Sequence, residues 1–280
     1  MWSQSGLIQA NDGKLYGATS GGGAYGHGTV FRIDLKGKLT TLHSFNWTDG
    51  AYPDAVLMQA ADGNFYGTTN NGGAYGDGAV FKITPAGNLT TLYSFCSQSQ
   101  CTDGAYPVAG LVQATDGNFY GTTLLGGDPT CGSWDGCGTV FQLTAGGTLT
   151  TLHRFQGTDG AYPLQGLLQG TNGRFYGTTA GRTYCCMGIG DGTIFSLDMG
   201  LGPFVAFVRN SGRVGSNVQI LGQGFTGTTG VSFNGTTASF AVKSDTYLTA
   251  TVPQGATTGF VTVTTPSGTL QSNVMFQVRP

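Results

Sequence analysis

Four copies of one block follow each other through most of the chain, and this repetition limits the fold more than any other feature. The dipeptide Tyr-Gly begins at residues 16, 66, 120 and 176, so the copies are spaced by 50, 54 and 56 residues. A Gln precedes it in every copy, at 9, 59, 113 and 169. Periods of this length are typical of solenoids and propellers, in which each unit packs on the next one.

Each copy predicts four short strands. An apolar strand ending in Gln is followed by Asp-Gly or Asn-Gly and then by a Phe-Tyr-Gly-Thr-Thr strand, which is a hairpin pattern. Strands of the Val-Phe-Lys-Ile-Thr and Leu-Thr-Thr-Leu types come next. Four antiparallel strands per repeat predict β-propeller blades, with a stacked solenoid as the alternative. The repeats are expected at about 6–54, 55–109, 110–165 and 166–202.

Composition supports an all-β fold. All 14 acidic residues are Asp, and charged residues make up only 9% of the chain, which removes the commonest surface residues of helices. The net charge of −2 argues against a nucleic-acid partner, which would require a basic surface. No apolar run has the length of a membrane span. We therefore expect no nucleic acid, no membrane span and no cofactor.

Six cysteines fall in three close pairs, which are Cys96 and Cys101, Cys131 and Cys137, and Cys185 and Cys186. An even number of paired cysteines favours disulfides and an oxidising compartment. A metal site is the weaker alternative, because no Cys-x-x-Cys spacing is present. Adjacent cysteines form a strained ring, so Cys185 and Cys186 have Cys131 and Cys137 as alternative partners.

The repeated Asp-Gly-Asn-Phe-Tyr-Gly-Thr-Thr and Gly-Thr-Val-Phe-Lys-Ile-Thr blocks resemble the Gloeo/Verruco (GloVer) repeat of choice-of-anchor tandem-repeat proteins. The resemblance covers about residues 6–200. It implies a secreted bacterial protein of the extracellular space or cell surface. It implies no activity, so no functional residues are transferred from the family.

After Leu197 the pattern changes. Alternating strands such as Val218–Leu221, Val231–Phe233 and Val261–Val263 are separated by turn residues, as in a β-sandwich. The Gly222-x-Gly224-Phe225 step and the glycine-containing turns resemble the IPT/TIG domain. This resemblance implies an immunoglobulin-like domain over 203–280, following a repeat domain over 1–202.

The polar candidates for chemistry are few. We interpret His27 as a solvated loop residue, and His43 and His153 as packing residues, because Tyr93 takes their place in the second repeat. The repeated Thr-Asp-Gly-Ala-Tyr-Pro loops carry Asp49, Asp103 and Asp159, which we expect to cap their own turns. No nucleophile-elbow, P-loop or zinc-protease motif is present, so we assign no catalytic and no metal-binding residue.

Aromatic loop residues are the candidates for glycan contact, because an aromatic ring stacks on the C–H face of a sugar. The predicted contacts are Trp47, Trp134, Tyr52, Tyr106 and Tyr162. Packing between repeats is the alternative for the tyrosines. Asn46, Asn88 and Asn234 lie in acceptor sequences for N-linked glycans and predict a glycoprotein.

These features predict a non-catalytic structural or adhesive protein. Repeat four lacks the fourth strand, so the segment Phe204, Val205, Ala206, Phe207 and Val208 either completes repeat four or forms part of an open edge. An open edge accepts a strand from another copy, which predicts a homo-oligomer or fibre. The alternatives are a carbohydrate-binding module using the long-loop face, and an Asp-dependent glycan-active enzyme. The expected partner is a second copy or an extracellular glycan.

Overall fold

A computed structural model describes residues 5–131, 136–181 and 192–279. Within these residues the protein consists of short strands and one 3-10 turn at Ser99–Cys101, which confirms the all-β prediction. The chain divides into unit one, residues 1–168 and 176–196, and unit two, residues 169–175 and 197–280. None of the described residues belongs to a helix with the length and hydropathy of a membrane span.

The repeats form small antiparallel sheets whose strands lie side by side in chain order. Repeat one contains β1 (Ile8–Gln9), β2 (Leu15–Thr19), β3 (Thr29–Ile33) and β4 (Leu39–Ser44). Repeat two contains β5 (Met58–Gln59), β6 (Phe65–Thr69), β7 (Ala79–Ile83) and β8 (Leu89–Ser94). Repeat three contains β9 (Val112–Gln113), β10 (Phe119–Thr123), β11 (Thr139–Leu143) and β12 (Leu149–Arg154). Among the described residues of repeat four are β13 (Leu168–Gln169), β14 (Phe175–Thr178) and β15 (Ile194–Leu197).

The Asp-Gly turn is a hairpin, as its sequence predicts. In repeat two the N–H of Ala60 donates to the carbonyl of Asn64, and the N–H of Gly63 donates to the carbonyl of Ala60, both at 2.9 Å. One oxygen of Asp62 accepts the N–H of Asn64, and the other accepts the hydroxyl of Tyr66 at 2.9 Å. The turn carboxylate therefore satisfies the hydroxyl of a tyrosine that is otherwise buried.

The Tyr-Gly dipeptide has a steric cause. A Cβ added at Gly67 would lie 2.6 Å from the ring of Phe81 on the neighbouring strand. A Cβ added at Gly17, Gly121 or Gly177 would lie 2.9, 2.6 or 2.4 Å from the equivalent ring. The glycine thus makes room for a phenylalanine, and both residues recur because each needs the other.

Successive repeats pack through the same aromatic contacts. Tyr16 stacks on Phe65 with ring centroids 4.0 Å apart, and Tyr66 stacks on Phe119 at 4.1 Å. All four rings are buried, so each repeat adds one layer to a continuous core.

A polar ladder accompanies this core. The side-chain oxygen of Gln59 accepts the N–H of Asn11 in the preceding repeat at 2.9 Å. Gln113 does the same for Ala61, also at 2.9 Å. The repeated Gln is thus a hydrogen-bonding link between neighbouring sheets.

Unit two contains two antiparallel four-stranded sheets and a parallel pair. The first sheet has the order β16 (Ala206–Phe207), β18 (Asn217–Leu221), β22 (Tyr247–Thr251) and β21 (Phe240–Ser244). The second has the order β20 (Thr236–Thr237), β19 (Gly230–Phe233), β23 (Val261–Thr265) and β24 (Gly268–Gln271). The parallel pair is β17 (Ser211–Arg213) and β25 (Gln277–Arg279). Inward residues of the two four-stranded sheets, such as Ile220 and Val263, share one hydrophobic core.

The structure places the predicted assembly edge at 204–208 in unit two, and self-association through it stays a prediction. Phe204 and Val205 are 3% and 0% exposed, and Ala206–Phe207 pairs antiparallel with Leu221 and Ile220 inside unit two. The N–H of Val208 continues this pairing by donating to Gln219. The segment does not complete the sheet of repeat four; Ala206–Phe207 is an outer strand of its sheet in unit two, and Val205 belongs to the hydrophobic core there.

Candidate functional site

The three aspartates of the Thr-Asp-Gly-Ala-Tyr-Pro loops cap their own turns, as expected. One oxygen of Asp49 accepts the N–H of Asn46 at 2.9 Å, and one oxygen of Asp159 accepts the N–H of Gln156 at 2.8 Å. The remaining oxygen bonds the fourth strand of the same repeat. It meets His43 Nε2 at 2.8 Å in repeat one and His153 Nε2 at 2.7 Å in repeat three.

Repeat two has a different version of this turn. Asp103 is fully buried, and one of its oxygens accepts the hydroxyl of Tyr93 at 2.7 Å and both the N–H and the hydroxyl of Ser97. Burial raises the pKa of Tyr93 to about 12. The hydrogen bond to Ser97 lowers this pKa, whereas the hydrogen bond to Asp103 raises it. This turn is therefore a closed hydrogen-bonded network.

Disulfides close the loops of repeats two and three. Cys96 is bonded to Cys101, and Cys131 is bonded to Cys137, which confirms local pairing for both. Cys185 and Cys186 lie outside the described residues. Two disulfides indicate an oxidising compartment.

An open groove of about 510 Å³ lies in repeat three. We call it the repeat-three groove; the polar side chains that line it include Thr102, Asp128, Thr151, His153, Arg154 and Asp159. Its size is suited to one or two sugar rings. The groove thus brings two carboxylates, an imidazole and a guanidinium onto one surface.

The charged groups of the groove are held in place. Asp128 accepts the N–H and the hydroxyl of Thr130 at 2.8 and 2.7 Å, and these bonds keep the pKa of Asp128 below its usual value. Arg154 donates from Nε to the carbonyl of Thr102 at 2.8 Å. The ring of His153 packs edge-on against Phe155, at 4.9 Å between centroids. These contacts fix an ionised carboxylate and an oriented His–Asp pair.

Thr151 stands out in the floor of this groove. Its hydroxyl oxygen is buried and has no hydrogen-bond partner. The equivalent hydroxyl of Thr91 in repeat two donates to the carbonyl of Asp49 at 3.2 Å. A buried hydroxyl without a partner is uncommon in folded proteins.

Three rings of repeat one form a second cluster, which we call the repeat-one platform. His27 and Trp47 are 5.3 Å apart between ring centroids, His27 and Tyr52 are 5.9 Å apart, and Trp47 and Tyr52 are 6.2 Å apart. All three contacts are edge-to-face, and Trp47 is 40% exposed. The predicted glycan contacts Trp47 and Tyr52 thus lie together. His27, which we interpret from the sequence as a solvated loop residue, contacts both rings.

The other predicted contacts differ. Tyr162 is 3% exposed, so its ring is packed and the prediction of a glycan contact there is wrong. Tyr106 is half-buried. Its backbone N–H donates to the preceding long loop, as the N–H of Tyr52 does in its own repeat. Trp134 lies outside the described residues. Asn46, Asn88 and Asn234 are exposed, and their glycosylation stays a prediction.

Sequence reasoning missed Asp128, Arg154 and Thr151. A comparison of the repeats contains the signal for the first two. Asp128 occupies the place of Ala24 and Ala74, and Arg154 that of Ser44 and Ser94. The signal is therefore the departure from the repeat, whereas the residues that recur are structural.

The fold and the groove define a disulfide-containing all-β repeat protein with a polar cleft. The Gloeobacter/Verrucomicrobia repeat family model matches residues 2–189. The chain belongs to this repeat family. No curated protein matches its sequence.

Several solved structures are similar in fold. A gluconolactonase from Xanthomonas campestris is 14% identical, with a TM-score of 0.39, over 95% of this chain and 70% of that one. A sucrose-6-phosphate hydrolase from Lactobacillus gasseri is 10% identical, with a TM-score of 0.41, over 99% and 74%. A protein assigned as a 6-phosphogluconolactonase from Bacteroides uniformis is 14% identical, with a TM-score of 0.39, over 97% and 79%. These similarities assign no substrate to this chain.

Two expectations are corrected here. The predictions of a non-catalytic structural or adhesive protein, and of no enzymatic activity, disagree with these comparisons, in which the similar solved structures are named as lactonases and a sugar-phosphate hydrolase. The sequence misled because the cleft combines recurring residues, His153 and Asp159, with Asp128 and Arg154, which occur once.

Proposed function

We propose that this protein is an extracellular sugar-active hydrolase whose active site is the repeat-three groove. One observation carries the proposal: Asp128 and the His153–Asp159 pair line the same groove. Hydrolysis of a glycosidic bond needs one group to remove a proton from water and another to protonate the leaving oxygen. Both kinds of group are in place.

The chemical roles follow from the hydrogen bonds. Asp128 is a carboxylate held by the hydrogen bonds from Thr130, and in this proposal it accepts a proton from the attacking water. His153 is oriented by Asp159 through Nε2, which leaves Nδ1 to protonate the departing sugar oxygen. The hydroxide forms the new bond to the sugar carbon while the carbon–oxygen bond breaks. Solvent then returns the protons to their starting positions.

Arg154 positions the substrate in this proposal. Its Nε is bonded to the carbonyl of Thr102, so the plane of the guanidinium is fixed while its terminal nitrogens face hydroxyl or carboxylate oxygens of a sugar.

The wider architecture that we propose has two parts. The sheets of residues 1–202 are propeller blades of about 6–54, 55–109, 110–165 and 166–202, which the chain-order antiparallel sheets support. Residues 203–280 form an immunoglobulin-like IPT/TIG domain, which the two sheets with a shared core support. Secretion is supported by the two disulfides.

The test is a hydrolysis screen with purified protein against soluble polysaccharides and sugar lactones, with product detected as reducing ends or released acid. We expect activity on a glycan, lowered about 10²–10⁴-fold by Asp128→Asn. Asp34→Asn is the matched control, because the carboxylate of Asp34 accepts two backbone N–H groups of the tight turn between β3 and β4. Activity that survives Asp128→Asn, or no turnover on any substrate, would refute the proposal.

A further inference from the structure

We propose that the repeat-one platform binds a neutral, flat pyranose ring of a glycan, with Trp47 as the stacking surface. This inference does not rest on the proposed hydrolysis, because the residues of the platform and of the repeat-three groove are different. Among the residues that the structure describes, the platform is the one cluster in which Trp, Tyr and His rings meet at the surface.

The backbone at Trp47 is the strongest observation. Its φ is +79°, a conformation that is unfavourable for a bulky side chain. Repeat three has Gly157 at the same place, with a φ of +85° and the same bond from its N–H to the glycine three residues later. The turn is therefore built for glycine, and repeat one carries tryptophan there against the local preference. Strain of this kind clusters at functional sites.

The turn also holds the tryptophan firmly. Trp47 exchanges backbone hydrogen bonds with Gly50 at 3.2 Å in both directions, and its carbonyl accepts the N–H of Gly73 at 2.8 Å. Gly72 packs so closely that an added Cβ would lie 2.5 Å from the carbonyl oxygen of Trp47. A ring fixed before binding loses little conformational entropy when a ligand stacks on it.

His27 and Tyr52 support the indole. Both lie edge-to-face with it and with each other, so the indole is held on one side while 40% of the residue stays exposed. The N–H of Tyr52 donates to the carbonyl of His27 at 2.9 Å, which ties the two loops together. The platform is thus a tryptophan braced by two rings from separate loops.

The surroundings favour a neutral sugar. Trp47 is flanked by Asn46 and Thr48, which are exposed and uncharged. The nearest acid along the chain, Asp49, has one oxygen on the N–H of Asn46 and the other on His43. A pyranose with equatorial hydroxyls has flat C–H faces for the indole and hydroxyls at its rim for amide and hydroxyl groups. A β-1,4-linked glucan consists of such rings.

Repeats two and three lack this arrangement in the part of the chain that the structure describes. Repeat two has Asp77 in the place of His27, and its loop after Phe95 carries the Cys96–Cys101 disulfide. Repeat three has the disulfide-bonded Cys137 in the place of His27 and Gly157 in the place of Trp47. Repeat one is therefore expected to bind a sugar ring where the others do not.

The test is isothermal titration of the full chain with cellohexaose. We expect saturable binding that weakens at least about tenfold in Trp47→Gly. Because the turn favours glycine, the midpoint of thermal unfolding of Trp47→Gly should be equal to or above that of the parent, which separates lost binding from lost folding. Trp47→Phe should retain part of the affinity. Tyr25→Ala, which removes an exposed ring outside the platform, should leave it unchanged.

A second arm separates the platform from the groove. Asp128→Asn should bind cellohexaose as tightly as the parent. Retained binding in this variant supports the platform whether or not the protein hydrolyses the glycan. The proposal is overturned if cellohexaose does not bind at millimolar concentration, if Trp47→Gly binds it unchanged, or if hexagalacturonate binds more tightly than cellohexaose.

Discussion

Repeats one and three contain the same turn and the same His–Asp pair, but different surroundings. In repeat one, His43 bonds Asp49 beside a braced tryptophan. In repeat three, His153 bonds Asp159 in a groove with Asp128 and Arg154. The pair is shared, so the residues around it decide what each repeat is able to do.

Repeat two shows that the pair is replaceable. Tyr93 takes the place of the histidine, and the aspartate becomes fully buried under a loop that a disulfide closes. The same backbone thus accommodates a partly buried pair in repeat one, an exposed pair in the groove of repeat three and a buried network in repeat two. Chemistry in a repeat protein is added to positions that the packing between repeats leaves free.

The largest expected effect separates the two His–Asp pairs. His153→Asn should lower the rate of hydrolysis about 10²–10⁴-fold, because it removes the proposed proton donor. His43→Asn, which makes the same change in repeat one, should lower it less than about twofold, because proton transfer to the substrate does not involve it. Steady-state rates of both variants on the same substrate check this prediction. Equal losses would mean that the pair is structural in both repeats.

The disulfides test whether loop closure serves stability or the groove. Replacing Cys131 and Cys137 by serine should reduce the free energy of unfolding by about 2 kcal/mol, since a short loop is released in the unfolded chain. Replacing Cys96 and Cys101 should reduce it by a similar amount. The N–H of Cys131 donates to the carbonyl of Asp128, so only the first pair should also lower activity. Urea unfolding and rate measurements distinguish the two pairs.

The buried network of repeat two should respond to alkali. The pKa of Tyr93 is raised from 10.0 to about 12, mainly by burial, so the folded state keeps this proton longer than the unfolded chain. The stabilisation of the folded state by the Tyr93 hydroxyl is therefore fully present below pH 10 and is lost as the pH rises through about 12. Tyr93→Phe should cost about 1–2 kcal/mol at pH 7 and flatten this dependence. Unfolding at pH 8, 10 and 11 measures it, and an unchanged slope would contradict the assignment.

A smaller effect is expected at Asp62 in the hairpin turn of repeat two. Burial raises its pKa, but the bonds from Lys82, Asn64 and Tyr66 outweigh burial and lower the pKa to about 2. The stabilisation is present above pH 3.8 and is lost as the pH falls through 2. Because the side chain is partly exposed, we expect on the order of 1 kcal/mol. Asp62→Asn should remove this acid sensitivity in unfolding measured between pH 2 and 5.

Much of the fold follows from the sequence of the repeats. The Asp-Gly turns, the alternating strands and the Tyr-Gly steps predict antiparallel sheets because each is a local preference or a close contact inside one repeat. The candidate sites do not follow in this way. Asp128 and Asp159 are 31 residues apart, and the platform joins His27 with Trp47 and Tyr52 from another loop. Their meeting depends on how the long loops cross at one end of the sheets.

The sequence by itself determined the repeat, the chain-order strands of the repeat sheets and the pairing of Cys96 with Cys101, because these depend on contacts between residues close along the chain. The tertiary structure alone decided that residues 204–208 join unit two, that Tyr162 is buried, and that Asp128 and Arg154 share a groove with His153. These outcomes depend on contacts between distant segments. A repeated pattern identifies its own packing, whereas the residues that break it acquire a role only from their neighbours in space.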